Sequence, residues 1–243
     1  MRNTALEYQM IKGVFFDLYN TLIGYQPSRE EMTQKLLSEM GYTTIEDNLY
    51  LPMNKADEYF YQQNAQSPIS LREKAEQMAV WSHYYRIILE AIDIEASPEL
   101  ITNLIGRWKN LKWEMTLYQD VIPCLKNLKN RSLKIGLISN ADKDMSELFN
   151  KTGLDAYLET VVISQDVGVT KPNPLIFQAA LEKSGLAAKE VLYIGDQYQV
   201  DYIGAMNVGL NPILLDRRNC YIDLSDCRRI TGLDELEYCI DNT

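Results

Sequence analysis

Histidine is almost absent: His83 is the single one in 243 residues, which leaves little room for a His base or a cluster of His metal ligands. Cysteine is sparse as well. Cys124, Cys220, Cys227 and Cys239 form no C-x-x-C pair, so neither a zinc motif nor a disulfide framework is expected, and buried or reduced thiols in a cytosol are. No window approaches 18 uninterrupted apolar residues, and the opening MRNTALEYQM lacks a long apolar segment. A cytoplasmic protein without a membrane span is the expectation. Cations are outnumbered, 24 Lys plus Arg against 34 Asp plus Glu, for a net charge of −10. Residues 24–114 hold 9 basic and 14 acidic side chains and the rest 15 and 20, so each part stands at −5. With no basic arm to neutralise phosphates, nucleic acid and anionic membranes are excluded as expected partners. Carboxylate chemistry remains.

What is present is a repeating pattern. Short apolar runs rich in β-branched residues occur at Ile11 to Phe16, Leu133 to Ile138, Leu158 to Ile163, Val191 to Ile194 and Pro212 to Leu215. Amphipathic stretches of helical length lie between the later ones: Asp142 to Thr152, Pro174 to Ser184 and Gln199 to Asn207. Strand and helix alternating in this way predict a parallel sheet with helices on both faces. From about Gly24 to Glu114 the periodicity is helical throughout, over Arg29 to Met40, Pro52 to Asn64, Leu71 to Ile92 and Pro98 to Trp113. The expected organisation is an α/β core of residues 1–23 and 115–243 with an all-α insertion, 24–114, placed as a lid. Open α/β sheets bind ligands outside the carboxyl ends of their strands, where an insertion after strand one would sit.

Four loops follow predicted strand ends. The first strand runs into Asp17-Leu18-Tyr19-Asn20-Thr21, the second into Ser139-Asn140, and the fourth into Gly195-Asp196-Gln197-Tyr198-Gln199-Val200-Asp201. Between them, Thr170-Lys171-Pro172-Asn173-Pro174 holds one cation between stiffening prolines. Taken singly, Asp17 reads equally as a turn residue, Ser139 as a helix cap, Lys171 as a surface charge and Asp196 as a cap. Together, in order and at strand ends, they place carboxylates, a hydroxyl and a cation on one edge of the sheet.

In order and spacing these loops resemble the haloacid dehalogenase (HAD) superfamily, across the whole chain, in its dehalogenase-like hydrolase branch of unassigned substrate. The resemblance implies a Rossmann-like core with an α-helical cap, a nucleophile Asp17, and a catalytic set of Asp17, Tyr19, Thr21, Ser139, Asn140 and Lys171. It further implies Mg²⁺ held by Asp17, Asp196 and the main-chain carbonyl of Tyr19, supported by Asp201, and an anionic small-molecule substrate. Three carboxylates around one lysine leave two excess negative charges that would repel a phosphate, and Mg²⁺ would remove that repulsion. Two positions disagree. Phosphatases of the superfamily carry a second Asp, the general acid/base, where this chain has Tyr19, as 2-haloacid dehalogenases do; those dehalogenases carry a small hydroxyl residue in place of Asp196 and need no metal. The complete metal shell outweighs the missing acid, so a Mg²⁺-dependent phosphatase is expected. A metal-free dehalogenase-type hydrolase and a binding or regulatory protein with little turnover are the alternatives. Of the aromatics in 24–114, most of Tyr59, Phe60, Tyr61, Trp81, Tyr84, Tyr85, Trp108 and Trp113 read as core of the insertion and a few as pocket lining. Arg29 reads as an exposed first-turn residue. The sequence does not fix an oligomeric state.

Overall fold

A computed structural model describes residues 10–141 and 144–242. In chain order the elements are β1 (Gly13–Phe16), β2 (Ile23–Gln26), α1 (Arg29–Glu39), α2 (Asp47–Gln66), α3 (Lys74–Ala91), α4 (Pro98–Trp108), β3 (Glu114–Leu117), α5 (Val121–Asn130), β4 (Lys134–Ser139), α6 (Ser146–Thr152), β5 (Thr160–Ile163), α7 (Ser164–Val167), α8 (Pro174–Ser184), β6 (Val191–Gly195), α9 (Gly204–Met206), β7 (Asn211–Leu215), β8 (Arg229–Ile230) and α10 (Leu236–Asp241). They fall into two compact units, one of residues 1–23, 117–217 and 223–243, the other of 24–116 with 218–222.

The first unit is a six-stranded parallel sheet in the order β5-β4-β1-β6-β7-β8, with helices around it. Its central strands are buried on both faces, which is why β1 (GVFF) and β6 (VLYIG) read as apolar runs without alternation. Phe16 lies opposite Leu137 of β4 and Ile194 of β6, so the three strands end within two residues of one another. On one face Phe15, Ile138, Val162 and Val191 pack with Ile176, Phe177 and Ala180 of α8. Each such fully buried side chain stabilises by about 1.5–3 kcal/mol. The sequence marks the bounds of α8: Asn173 caps it by accepting from the Leu175 N–H, Pro174 takes the first helical position, and Gly185 at φ 70° ends it.

All five expected core strands form, and β8, only two residues long, gave no periodic signal. The stretch expected as a helix over Gln199 to Asn207 instead begins as a π-helical turn, Tyr198–Ile203, where the Gln197 carbonyl accepts from both Asp201 and Tyr202. The helix expected from Asp142 begins at Ser146, and Asp142 lies outside the described residues.

The second unit packs Leu36, Leu37, Leu49, Met53, Ile88, Leu89, Leu104 and Ile105 from α1 to α4 into its own core. Its helices are not continuous through 24–114, because Gly24 to Gln26 belong to β2, which pairs with β3 as a two-stranded ribbon. α2 starts five residues before Pro52, which sits in its second turn, since burial of Leu49 and Met53 on one face outweighs the amide donor the proline lacks. Arg29 is not the exposed side chain expected: its guanidinium donates to both oxygens of Asp57, at 2.9 and 2.6 Å, with Tyr84 also donating to Asp57. Tyr84 and Tyr85 are core, whereas Trp81 and Trp113 are 37% and 44% exposed and lie outside it. The segment Arg218–Ile222 joins this unit through Arg218, stacked on the Tyr50 ring, and Tyr221, which donates to Glu58.

Candidate active site

Because β1, β4 and β6 are parallel and end within two residues of one another, the residues at their carboxyl ends meet at one edge of the sheet. Asp17 comes directly after β1, its N–H donating to the Ile194 carbonyl at 2.8 Å and so extending the ladder by one residue. Ser139 closes β4, and Asp196 follows Gly195, the end of β6.

Lys171 is 2% exposed, and its ammonium donates to Asp17 Oδ1 at 2.6 Å, Asp201 Oδ1 at 2.7 Å and the Tyr193 hydroxyl at 2.9 Å. An ammonium has three protons, and all three are thereby used inside the protein. The surface-charge alternative is excluded. Tyr193 in turn donates to Asp201 Oδ1 at 2.9 Å. Burial, with Asp201 beside it, pushes its phenol well above 10, so this hydroxyl keeps its proton at neutral pH. Asn140 pins the backbone of Lys171 from both sides, its Oδ1 accepting from Lys171 N–H at 2.7 Å and its Nδ2 donating to the Lys171 carbonyl at 3.1 Å.

Burial lifts the Asp17 carboxyl, the Lys171 ammonium opposes that and Asp201 adds to it, and the net pKa rises from 3.8 to about 6. Lys171 shows the converse balance: burial pulls it down, the two carboxylates pull it up by more, and it ends above 10.5. Asp201 is 1% exposed and comes close because Gly195 has no side chain, a Cβ there falling 2.3 Å from Asp201 Cγ. Its second oxygen accepts from the Gln197 N–H at 3.1 Å. Asp196, half-buried, accepts at Oδ2 from Asn20 Nδ2 at 3.2 Å and Gln197 Nε2 at 3.1 Å.

Ligand oxygens of Asp17, Asp196 and Asp201 all lie within 4.8 Å of one another. Hard divalent cations take such all-oxygen sets. Ser139 Oγ and Thr21 Oγ1 are buried and have no hydrogen-bond partner among the described residues. Neither bonds to Asp17. Tyr19 is half-buried, and its hydroxyl donates to Met145 Sδ at 3.7 Å.

The sequence reading missed Tyr193, whose hydroxyl in the otherwise apolar run VLYIG was the available signal, since a buried tyrosine needs a partner. It also missed Arg217, which donates to both oxygens of Asp120 and to the Thr21 carbonyl at 2.9 Å while lying 4.1 Å over the Tyr118 ring. Arg217 thus anchors the loop that carries Asp17, and nothing local in the sequence pairs it with a residue 97 positions away.

Residues 14–215 match the family model of haloacid dehalogenase-like hydrolases. The chain belongs to that family. It is a HAD-superfamily hydrolase, and relatives of this HAD chain include enzymes named as phosphatases. One is a glyceraldehyde 3-phosphate phosphatase of Methanopyrus kandleri, 28% identical over 219 residues that make up 88% of each chain. A further relative, whose name states no activity, is the rhythmically expressed gene 2 protein of Drosophila melanogaster, 30% identical over 85% of this chain and 83% of its own. Among solved structures, a HAD-hydrolase from Bacillus subtilis, bound to magnesium, superposes with a TM-score of 0.61 at 15% identity, covering 96% of this chain and 99% of that one. Among the described residues no helix is long and apolar enough to cross a membrane, and no disulfide forms.

Proposed function

We propose that this HAD hydrolase is a Mg²⁺-dependent phosphatase of a small phosphorylated metabolite, acting through an Asp17 aspartyl-phosphate, in the cytoplasm and with the helical unit as its cap. The observation that carries the reading is the convergence of Asp17, Asp196 and Asp201 within 4.8 Å around a single lysine. Asp196 favours it over a metal-free dehalogenase, because a third carboxylate would repel a haloacid unless a cation stood between them. The phosphatase names among the relatives support the substrate class.

In this reading Asp17, Asp196 and the Tyr19 carbonyl hold Mg²⁺, supported by Asp201, and the ion when bound neutralises the carboxylates and screens the phosphoryl oxygens. Lys171 orients Asp17. A carboxylate oxygen of Asp17 attacks phosphorus, the bond to the leaving oxygen breaks, and that oxygen departs with the electron pair. Its proton comes from the Tyr19 phenol or from water. Water then attacks phosphorus, losing a proton to solvent, and Asp17 leaves as a carboxylate. Ser139, Thr21 and main-chain N–H groups are the donors for the phosphoryl oxygens, since the ammonium of Lys171 is spent.

The test is release of phosphate and of halide over substrate panels, each with Mg²⁺ or with chelator. Metal-dependent phosphate release is expected. Metal-independent halide release would replace this reading with the dehalogenase one, which Tyr19 favours, and silence in both would point to a binding protein.

A further inference from the structure

We propose that Asn20 and Gln197 form a carboxamide clamp that positions Asp196 as a cation ligand, an inference that rests on the Mg²⁺ reading above. The two side chains come from different loops and donate to the same atom, Asp196 Oδ2, at 3.2 and 3.1 Å. Each is held in place independently. Asn20 sits at φ 58°, with its N–H donating to the Ile23 carbonyl at 2.7 Å, and Gln197 is 2% exposed, with its N–H donating to Asp201.

Burial alone does not suit Gln197 to its place. A left-handed position is met at least cost by glycine and next by asparagine, which here adds the amide that reaches Asp196. Gln197 buries its Oε1 with no hydrogen-bond partner among the described residues, an unfavourable arrangement that delivers Nε2 to the carboxylate. Both donors are neutral. Whereas Lys171 cancels charge on Asp17 and Asp201, the clamp fixes Asp196 and leaves its negative charge in place for a cation. Outer donors of this kind orient metal-binding carboxylates, and losing one weakens affinity about 10- to 100-fold.

The experiment is calorimetric titration of the metal-free full chain with MgCl₂, beside its melting temperature in chelator. Asn20→Gly keeps the φ 58° backbone unstrained and removes only the amide, so its melting temperature should stay within a few degrees of wild type while the Mg²⁺ Kd rises about 10-fold. The double variant Asn20→Gly/Gln197→Leu should show a rise of about 100-fold. If Gln197→Leu does not fold, Asn20→Gly alone decides. An unchanged or tighter Kd in Asn20→Gly, with wild type binding, overturns the clamp and leaves the metal reading standing. No binding by wild type overturns both.

Discussion

Asp17→Asn should stabilise the metal-free protein at neutral pH, and the gain can be worked from the site. The Asp17 carboxyl rises from 3.8 to about 6 on folding, with burial as its largest cause. At 1.36 kcal/mol for each factor of ten in acidity, holding it ionised costs about 3 kcal/mol. The folded pKa lies above the unfolded one, so this penalty is fully present above about pH 6 and fades as pH falls from about 6 to about 4. Asparagine resembles the protonated carboxyl and still offers Lys171 an acceptor, so the variant escapes the penalty. At about 2–4 °C per kcal/mol for a chain of this size, its melting temperature in chelator at pH 7.5 should exceed that of wild type by roughly 6–12 °C. Near pH 4.5 the gap should shrink to about a third. Saturating Mg²⁺ should close the gap, because wild type gains by mass action about 2.7 kcal/mol at 100 times Kd, which offsets nearly all of the penalty, and the variant has lost a ligand. Scanning fluorimetry from pH 4.5 to 8, with chelator and with MgCl₂, reads all three effects. A variant no more stable than wild type at pH 7.5 in chelator, or a gap that persists unchanged at pH 4.5, refutes the reasoning.

Tyr193→Phe removes the acceptor of the third Lys171 proton and a donor to Asp201, leaving a buried charged donor unsatisfied; denaturant melts should show a loss of about 1–3 kcal/mol, and an unchanged midpoint would mean that the hydroxyl contributes nothing net. Tyr19→Asp should restore proton transfer to basic leaving groups, worth about 10²–10⁴ in rate for alkyl phosphates and little for acyl or aryl phosphates. The slope of log rate against leaving-group pKa should therefore be flatter in the variant, and equal slopes in two Mg²⁺-binding proteins would show that Tyr19 or water already supplies the proton.

The strands were legible because a strand buried on both faces can only be written as an apolar run, and the loops because an acid placed straight after such a run must lie at the sheet edge. Asp17 and Asp196 were read that way, Lys171 from the prolines that flank it and Asp201 from its place five residues after Asp196. Partnerships were not legible. Arg29 looks exposed at the head of a helix until Asp57, 28 residues on, is known to face it, and nothing in Arg218 to Ile222 signals that they pack with a unit begun 194 residues earlier. The π turn at Tyr198–Ile203 is equally silent, since its residues suit an ordinary helix. β2 falls largely inside the stretch expected to be helical, because four residues are too few to show alternation.

Lys171 carries the argument from geometry to chemistry one step further. A single ammonium saturated by Asp17, Asp201 and Tyr193 leaves the cluster, with Asp196, two negative charges in excess and no cationic proton to offer an anion. An anionic substrate approaching such a site meets net repulsion, and Asn20 and Gln197, being neutral, do not reduce it. The buried hydroxyls of Ser139 and Thr21, which have no partner among the described residues, are neutral and cannot balance charge. The charge count therefore closes in only two ways: a neutral substrate, or a divalent cation that enters with or before an anionic one. The phosphorylated substrates named for the relatives fall in the second class, so if this chain shares them, a cation binds with or before the substrate.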